Sequence, residues 1–161
     1  MNLWKRIVAA LGVAAWMGGC DVGIERLRPG VSTAQEVRSV LGEPTYEWQE
    51  ADGSVVWEFA GPRAGLVTYM VTIGADRVMR SLHQVLAEEF FAKIRPGMKI
   101  AQVRRLIGRP GETMTFAARS EEVWTWQHGP VMPGGIDVFH VHFDLAGEVV
   151  ATSRSKAAEP Y

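Results

Sequence analysis

The chain has 161 residues, 47% of them hydrophobic and 22% charged, with 17 Lys and Arg against 18 Asp and Glu and a formal net charge of −1. That balance, with no basic run, lacks the electrostatic footprint of a nucleic-acid binder. A single cysteine, Cys20, excludes an intramolecular disulfide framework.

The N-terminus comes first. Lys5 and Arg6 form a short positive region, and residues 7–17 (IVAALGVAAWM) form an apolar stretch of 11 residues. Crossing a hydrocarbon core takes roughly 20 helical residues, so the stretch is too short to span. It suits the apolar region of a secretory signal, which assigns residues 1–19 to a signal peptide. Met17, Gly18, Gly19 and Cys20 then read "MGGC". This resembles a bacterial lipobox, whose cysteine is diacylated, becomes the new N-terminus and is acylated again. Met17 stands where that pattern prefers Leu, and Gly18 is less usual there than Ala or Ser. The alternatives are a plainly cleaved signal and a Cys20 buried as a small hydrophobe.

The lipobox resemblance implies a lipid anchor at Cys20. Two or more acyl chains, at about 0.8 kcal/mol per buried CH₂, hold a protein stably on a bilayer. The expected location is the periplasmic face of a bacterial envelope, with the outer membrane ahead of the inner. Asp21 resembles an inner-membrane retention signal and leaves that choice open. Without residues 1–19, 142 residues remain, with 15 basic against 18 acidic side chains, a balance of −3. That length can bury a sizeable core.

The remainder is written twice. "LRPGVSTAQEVRSVLGEP" (residues 27–44) returns as "IRPGMKIAQVRRLIGRP" (residues 94–110). Allowing one extra residue in the first copy, nine of 17 positions are identical, including Gly30/Gly97, Gln35/Gln102, Gly42/Gly108 and Pro44/Pro110. Downstream, "VVWEFAGP" matches "EVWTWQHGP", aligning Trp57 with Trp124, and "VTIGADRV" matches "VHFDLAGEV". The expected units are residues 20–83 and 84–154, with residues 155–161 a loose tail.

Each copy predicts the same elements in the same order. A first helix is weak in residues 21–27 and clear in residues 84–94. It is followed by an amphipathic helix with Val37, Val40 and Leu41, or Val103, Leu106 and Ile107, at i, i+3, i+4. Thr33 and Glu36 form a T-x-x-E capping box; Lys99 offers no equivalent, so the second copy's first turn should fray. Gly42 and Gly108 stand where a left-handed C-cap belongs, and Pro44 and Pro110 forbid continuation. Strands follow, because Val55, Trp57 and Phe59 alternate, as do Trp124 and Trp126, then Val141, Phe143 and Leu145. The expected class is α+β: two tandem helix–turn–helix units, each with a three- or four-stranded antiparallel sheet. A unit this small buries only about 60% of its unfolded surface. An apolar seam between the copies is therefore expected.

"PGMKIAQVRRLIGRP", "VWTW" and "VHFDLAGEVV" together resemble the BamE/SmpA/OmlA lipoprotein domain, with Lys99 in place of a Thr and the first copy more divergent. Two such units in tandem also resemble the β-lactamase inhibitor protein architecture, in which paired helix–sheet repeats present a sheet face. The first resemblance implies a non-enzymatic, membrane-tethered scaffold in outer-membrane β-barrel assembly or envelope maintenance. Its partners would be envelope proteins, among them β-barrel assembly components. The second implies an inhibitor or binder of a periplasmic or secreted enzyme.

Few residues suggest chemistry. His140, His142 and Asp144 alternate on one strand and so share a face, the arrangement a zinc site needs if further ligands converge. No second His, Cys or Glu cluster is visible in the sequence, so a zinc role at His140 and His142 stands as an alternative only. Neither a G-x-S-x-G elbow nor a paired-carboxylate motif is present, and no cofactor and no enzymatic activity are expected. Trp57 and Trp124 hold matching places and are read as core. Tyr46, Trp48 and Trp126 are candidate partner-facing aromatics. Arg63 and Met132 stand in matching Pro/Gly-rich segments, residues 61–66 and 129–135, which are candidate binding-rim loops. Phe90, Phe91 and Ile94 are expected to pack between the two units.

Overall fold

The structure is a computed structural model that describes residues 23–61 and 66–158. Met17, Gly18, Gly19, Cys20, Asp21 and Arg63 lie outside the described residues. After a 3₁₀ turn at Ile24–Arg26 come α1 (Ala34–Leu41), β1 (Tyr46–Gln49), β2 (Val55–Ala60), β3 (Thr68–Ile73) and β4 (Met79–Gln84). The second half runs α2 (Glu88–Phe91), α3 (Ile100–Ile107), β5 (Glu112–Phe116), β6 (Glu121–Met132), β7 (Gly135–Asp144) and β8 (Val149–Ala157). Each half forms one four-stranded antiparallel sheet in sequential order, β1-β2-β3-β4 and β5-β6-β7-β8.

The chain is mostly β, and two helix–turn–helix units are not what forms. The first helix of each copy is only a 3₁₀ turn or the single turn α2. The cause in the second copy is that the sheet has already claimed the backbone. Gln84 pairs with Tyr69, and the Val85 N–H donates to the Thr68 carbonyl at 2.9 Å. The Leu86 N–H goes to the Gln84 side chain at 2.5 Å. The helix cannot start before Ala87, and Pro96 bars it from running on.

The halves repeat in detail. The Gly30 N–H donates to the Met79 carbonyl and the Gly97 N–H to the Val149 carbonyl, both at 2.8 Å. Thr33 bridges Val78 as Lys99 bridges Glu148. Register shifts fall at Thr72/Ile73 in one sheet and His142/Phe143 in the other. At the ends of α1 and α3, Gly42 (φ 82°) and Gly108 (φ 77°) take positive φ with extended ψ, so the chain leaves the helix without a left-handed helical cap. Thr33 and Glu36 form the expected box. At Lys99 only half a box exists: Gln102 accepts from the Lys99 N–H at 2.8 Å, while the lysine side chain has no acceptor to return.

Each half has its own core. Ala34, Val37, Trp57, Phe59, Val71, Ile73 and Met79 form one, where α1 lies on its sheet. Val103 and Ile107 of α3 pack with Trp126, Phe139, Val141, Phe143 and Val149 in the other. Phe91 stacks on Phe139 at 4.2 Å and, with Ile94, belongs to that second core, so these side chains do not pack between the units. The expected tail is strand through Ala157, which pairs with Ile136. Leu145 lies in the turn after β7 and is 77% exposed.

The junction between the halves is not the apolar seam expected. It is built around a charge. The side of α3 turned away from its own core lies on the other sheet, opposite α1. There Glu58, fully buried, takes the Arg104 guanidinium at 3.0 Å and the Arg109 N–H at 2.8 Å. Arg105 pairs with Glu50. Arg104 sits 5.3 Å from the Tyr46 ring, and Arg105 5.4 Å from Trp48. Gly108 touches the same face so closely that a Cβ there would stand 2.7 Å from Thr68 Cγ2 and 3.4 Å from Met70 Cε.

Candidate functional site: the open face of the second sheet

Helix α3 thus serves two sheets. One side fills the second core, and the other covers the outer face of the first sheet. The outer face of the second sheet occupies the matching place and has no such cover among the described residues. Period-two alternation decides what it carries. Trp124 and Trp126 of β6 point to α3, which leaves Val123, Thr125 and Gln127 outward; Phe139, Val141 and Phe143 of β7 point in, which leaves Val138, His140 and His142 outward.

A groove of about 290 Å³ runs over this face, with Met114, Phe116, Val123 and Val138 in its apolar lining and Glu112, Thr125, His140, Ser155 and Lys156 among its polar lining. Met114 is 48% exposed. In the first sheet Glu58 stands where Thr125 stands here, by the alignment of Trp57 with Trp124. The buried anchor for a cationic helix is therefore replaced by a neutral hydroxyl.

Two rows of hydrogen bonds cross the open face diagonally. In one, Thr125 Oγ1 lies 3.0 Å from His140 Nδ1, and His140 Nε2 lies 2.8 Å from Ser155 Oγ. In the other, Glu121 Oε1 lies 2.5 Å from His142 Nδ1, and His142 Nε2 lies 2.7 Å from Ser153 Oγ. Glu121 is further held by Arg119, 3.3 Å from its second oxygen. Partial burial holds His140 below the usual histidine range, the neighbouring His142 adds to this, and Glu112 opposes it. Burial likewise lowers His128.

The other candidates are placed as follows. Trp126 is fully buried in the second core and offers no surface to a partner, which corrects its reading as partner-facing. Trp57 is buried, whereas Trp124 lies at the core's edge and donates to Glu122 at 2.7 Å. Tyr46 and Trp48 lie by Arg104 and Arg105 of α3; Trp48 is half-buried there, whereas Tyr46 keeps 49% of its surface exposed. Met132 is 53% exposed, but its segment is no loop: β6 and β7 continue as a long hairpin and pair Met132 with Gly135. Only residues 62–65 of the matching segment fall outside the described residues. Among the described residues no three His, Cys, Asp or Glu side chains gather as a metal site. His142 has Glu121 and Ser153 as neighbours instead.

Glu58, Arg104, Glu121 and Ser153 were missed by sequence reasoning. Glu58 had a usable signal, since an acid in "VVWEFA" faces away from Trp57 and Phe59 toward whatever covers the sheet. Ser153 and Glu121 had none, because 32 positions separate them.

No family model matches the chain, and no curated protein matches. Among solved structures, the chain is similar to a Streptococcus mutans protein described as a "putative beta-lactamase inhibitor protein", at 11% identity and a TM-score of 0.35. The match covers 77% of this chain and 82% of that one. A likeness that low carries no argument about function.

Proposed function

We propose that this chain is a membrane-tethered lipoprotein of the bacterial envelope that binds a protein partner through the outer face of its second sheet. The observation that carries the reading is the contrast between two matching faces, one covered by α3 and one open, grooved and half apolar. Met114 and the half-buried Phe116 supply the accessible apolar surface of this groove, in which Val123 and Val138 are buried, and apolar surface rimmed by polar groups marks a protein contact. The tether rests on Met17, Gly18, Gly19 and Cys20, and the periplasmic location follows from it. The partner is an envelope-assembly component, in keeping with the resemblance of the repeated phrase to the BamE/SmpA/OmlA domain.

A photo-crosslinking residue at Met114 of the full lipoprotein in its own envelope tests this. The expected result is one discrete adduct, identified by mass spectrometry as an envelope-assembly protein and absent when the crosslinker is at Val31 on the far side. A soluble periplasmic enzyme in the adduct would favour an inhibitor role on the same face. Equal, diffuse labelling from both positions would remove the docking face. Cys20→Ser should move the protein from the membrane to the soluble fraction, and retention in the membrane would remove the tether.

A further inference from the structure

Beyond partner binding, the second diagonal row supports a chemical role. We infer that Ser153 is an activated nucleophile for acyl transfer, with His142 as its general base and Glu121 as the carboxylate that positions His142. The required geometry is a nucleophile within hydrogen-bond reach of a base that a third group orients in turn. Ser153 Oγ to His142 Nε2 at 2.7 Å and His142 Nδ1 to Glu121 Oε1 at 2.5 Å satisfy both contacts. Glu121 and His142 are mostly buried, with side-chain exposures of 16% and 22%, whereas Ser153 is exposed and open to a substrate. Arg119 fixes the second carboxylate oxygen. Glu121 accepting from Nδ1–H leaves Nε2 free to take the serine proton.

The substrate class is a carboxylic ester with a small apolar acyl group. The groove reaches this row through Val123, which lines it and is the direct cross-strand neighbour of His142; Met114 lines the same groove, while Ser153, His142 and Glu121 stand outside its lining. In the first step Ser153 Oγ bonds to the carbonyl carbon as its proton passes to His142 Nε2. The bond to the leaving alcohol then breaks, and His142 returns the proton to that oxygen. In the second step water attacks the acyl-serine with His142 again as base, releasing the acid and restoring the serine.

The other row is a built-in control. Ser155 meets His140 at 2.8 Å, but His140 is held by the hydroxyl of Thr125 rather than by a carboxylate. Thr125 cannot stabilise an imidazolium as Glu121 can, so Ser155 is expected to be far less reactive.

The full lipoprotein in detergent is treated with a fluorophosphonate probe and with p-nitrophenyl butyrate, and the labelled peptide is identified by mass spectrometry. The expected adduct is on Ser153 and not on Ser155. Ser153→Ala abolishes labelling and ester turnover, and His142→Asn lowers both by at least about 100-fold, the lower range for a lost general base. Glu121→Gln lowers both with an unchanged urea midpoint, and Glu121→Asp restores part of the loss, which a merely structural role would not do. An adduct on Ser155 at an equal rate, no adduct on any serine, or full labelling of Ser153 in a folded His142→Asn variant overturns the inference.

Discussion

Replacing Arg104 by alanine leaves Glu58 as a carboxylate that is fully buried with only the Arg109 N–H for company. Breaking one side of a buried pair costs about 3–5 kcal/mol, because the survivor stays desolvated. Two features lower that figure here. Arg104 is 28% exposed, so solvent already screens part of the interaction. Its Nε is buried without a hydrogen-bond partner among the described residues, so part of the guanidinium's desolvation is not returned. A loss of about 2–3 kcal/mol is therefore expected from Arg104→Ala. Glu58→Gln/Arg104→Met, which removes both charges at similar volume, should recover most of it. The assay is urea unfolding of the chain lacking residues 1–20, followed by tryptophan fluorescence, with Glu58→Gln and Arg104→Met singles closing a double-mutant cycle at constant m. An Arg104→Ala loss below about 0.5 kcal/mol, typical of an exposed pair, would refute the buried junction.

Gly108→Ala should cost about 2–3 kcal/mol and Gly42→Ala only about 1–2, since both need positive φ but only Gly108 would drive a Cβ into Thr68; equal losses in thermal melts would count against the close contact. Trp126→Ala should cost about 3–5 kcal/mol as a fully buried aromatic, while Met114→Ala on the open face should stay within about 0.5 kcal/mol. By NMR, His140 and His128 should titrate below the unperturbed 6.5. Because their folded values are depressed, the stability they contribute is present above the unfolded value and is lost as pH falls through the folded ones. A rise in stability on acidification through that window would contradict the assignment.

Some of this was legible in the residues and some was not. The duplication came through because it is a pattern of identities over three segments, and Gly42, Gly108 and the Thr33–Glu36 box act over four or five residues. Residues 84–94 read as a longer helix than the single turn that forms, because Phe90, Phe91 and Ile94 have helical spacing. The competing claim of β3 on Val85 is made by Thr68, 17 positions away, and local periodicity does not register it. Trp126 shows a related limit. Trp57 matches Trp124 in sequence, yet it is Trp126 that is buried beneath α3 and Trp124 that sits at the rim, because alternation gives the face and not the depth. The junction was hidden for another reason. Glu58 marks the outer face of its strand but not what covers it, which is Arg104, 46 positions later. The Glu121–His142–Ser153 row likewise exists only once β6, β7 and β8 pair in register.

One contact decides whether a single helix serves both sheets. In a methyl-labelled sample of the chain lacking residues 1–20, Gly108 Hα and the Met70 methyl group should give a strong nuclear Overhauser effect, since a Cβ on Gly108 would stand only 3.4 Å from Met70 Cε. That effect should vanish in a folded Arg104→Ala variant whose junction has opened. If it is missing from the wild-type protein while contacts within each half remain strong, the halves do not meet through α3, and the contrast between a covered and an open sheet face is lost.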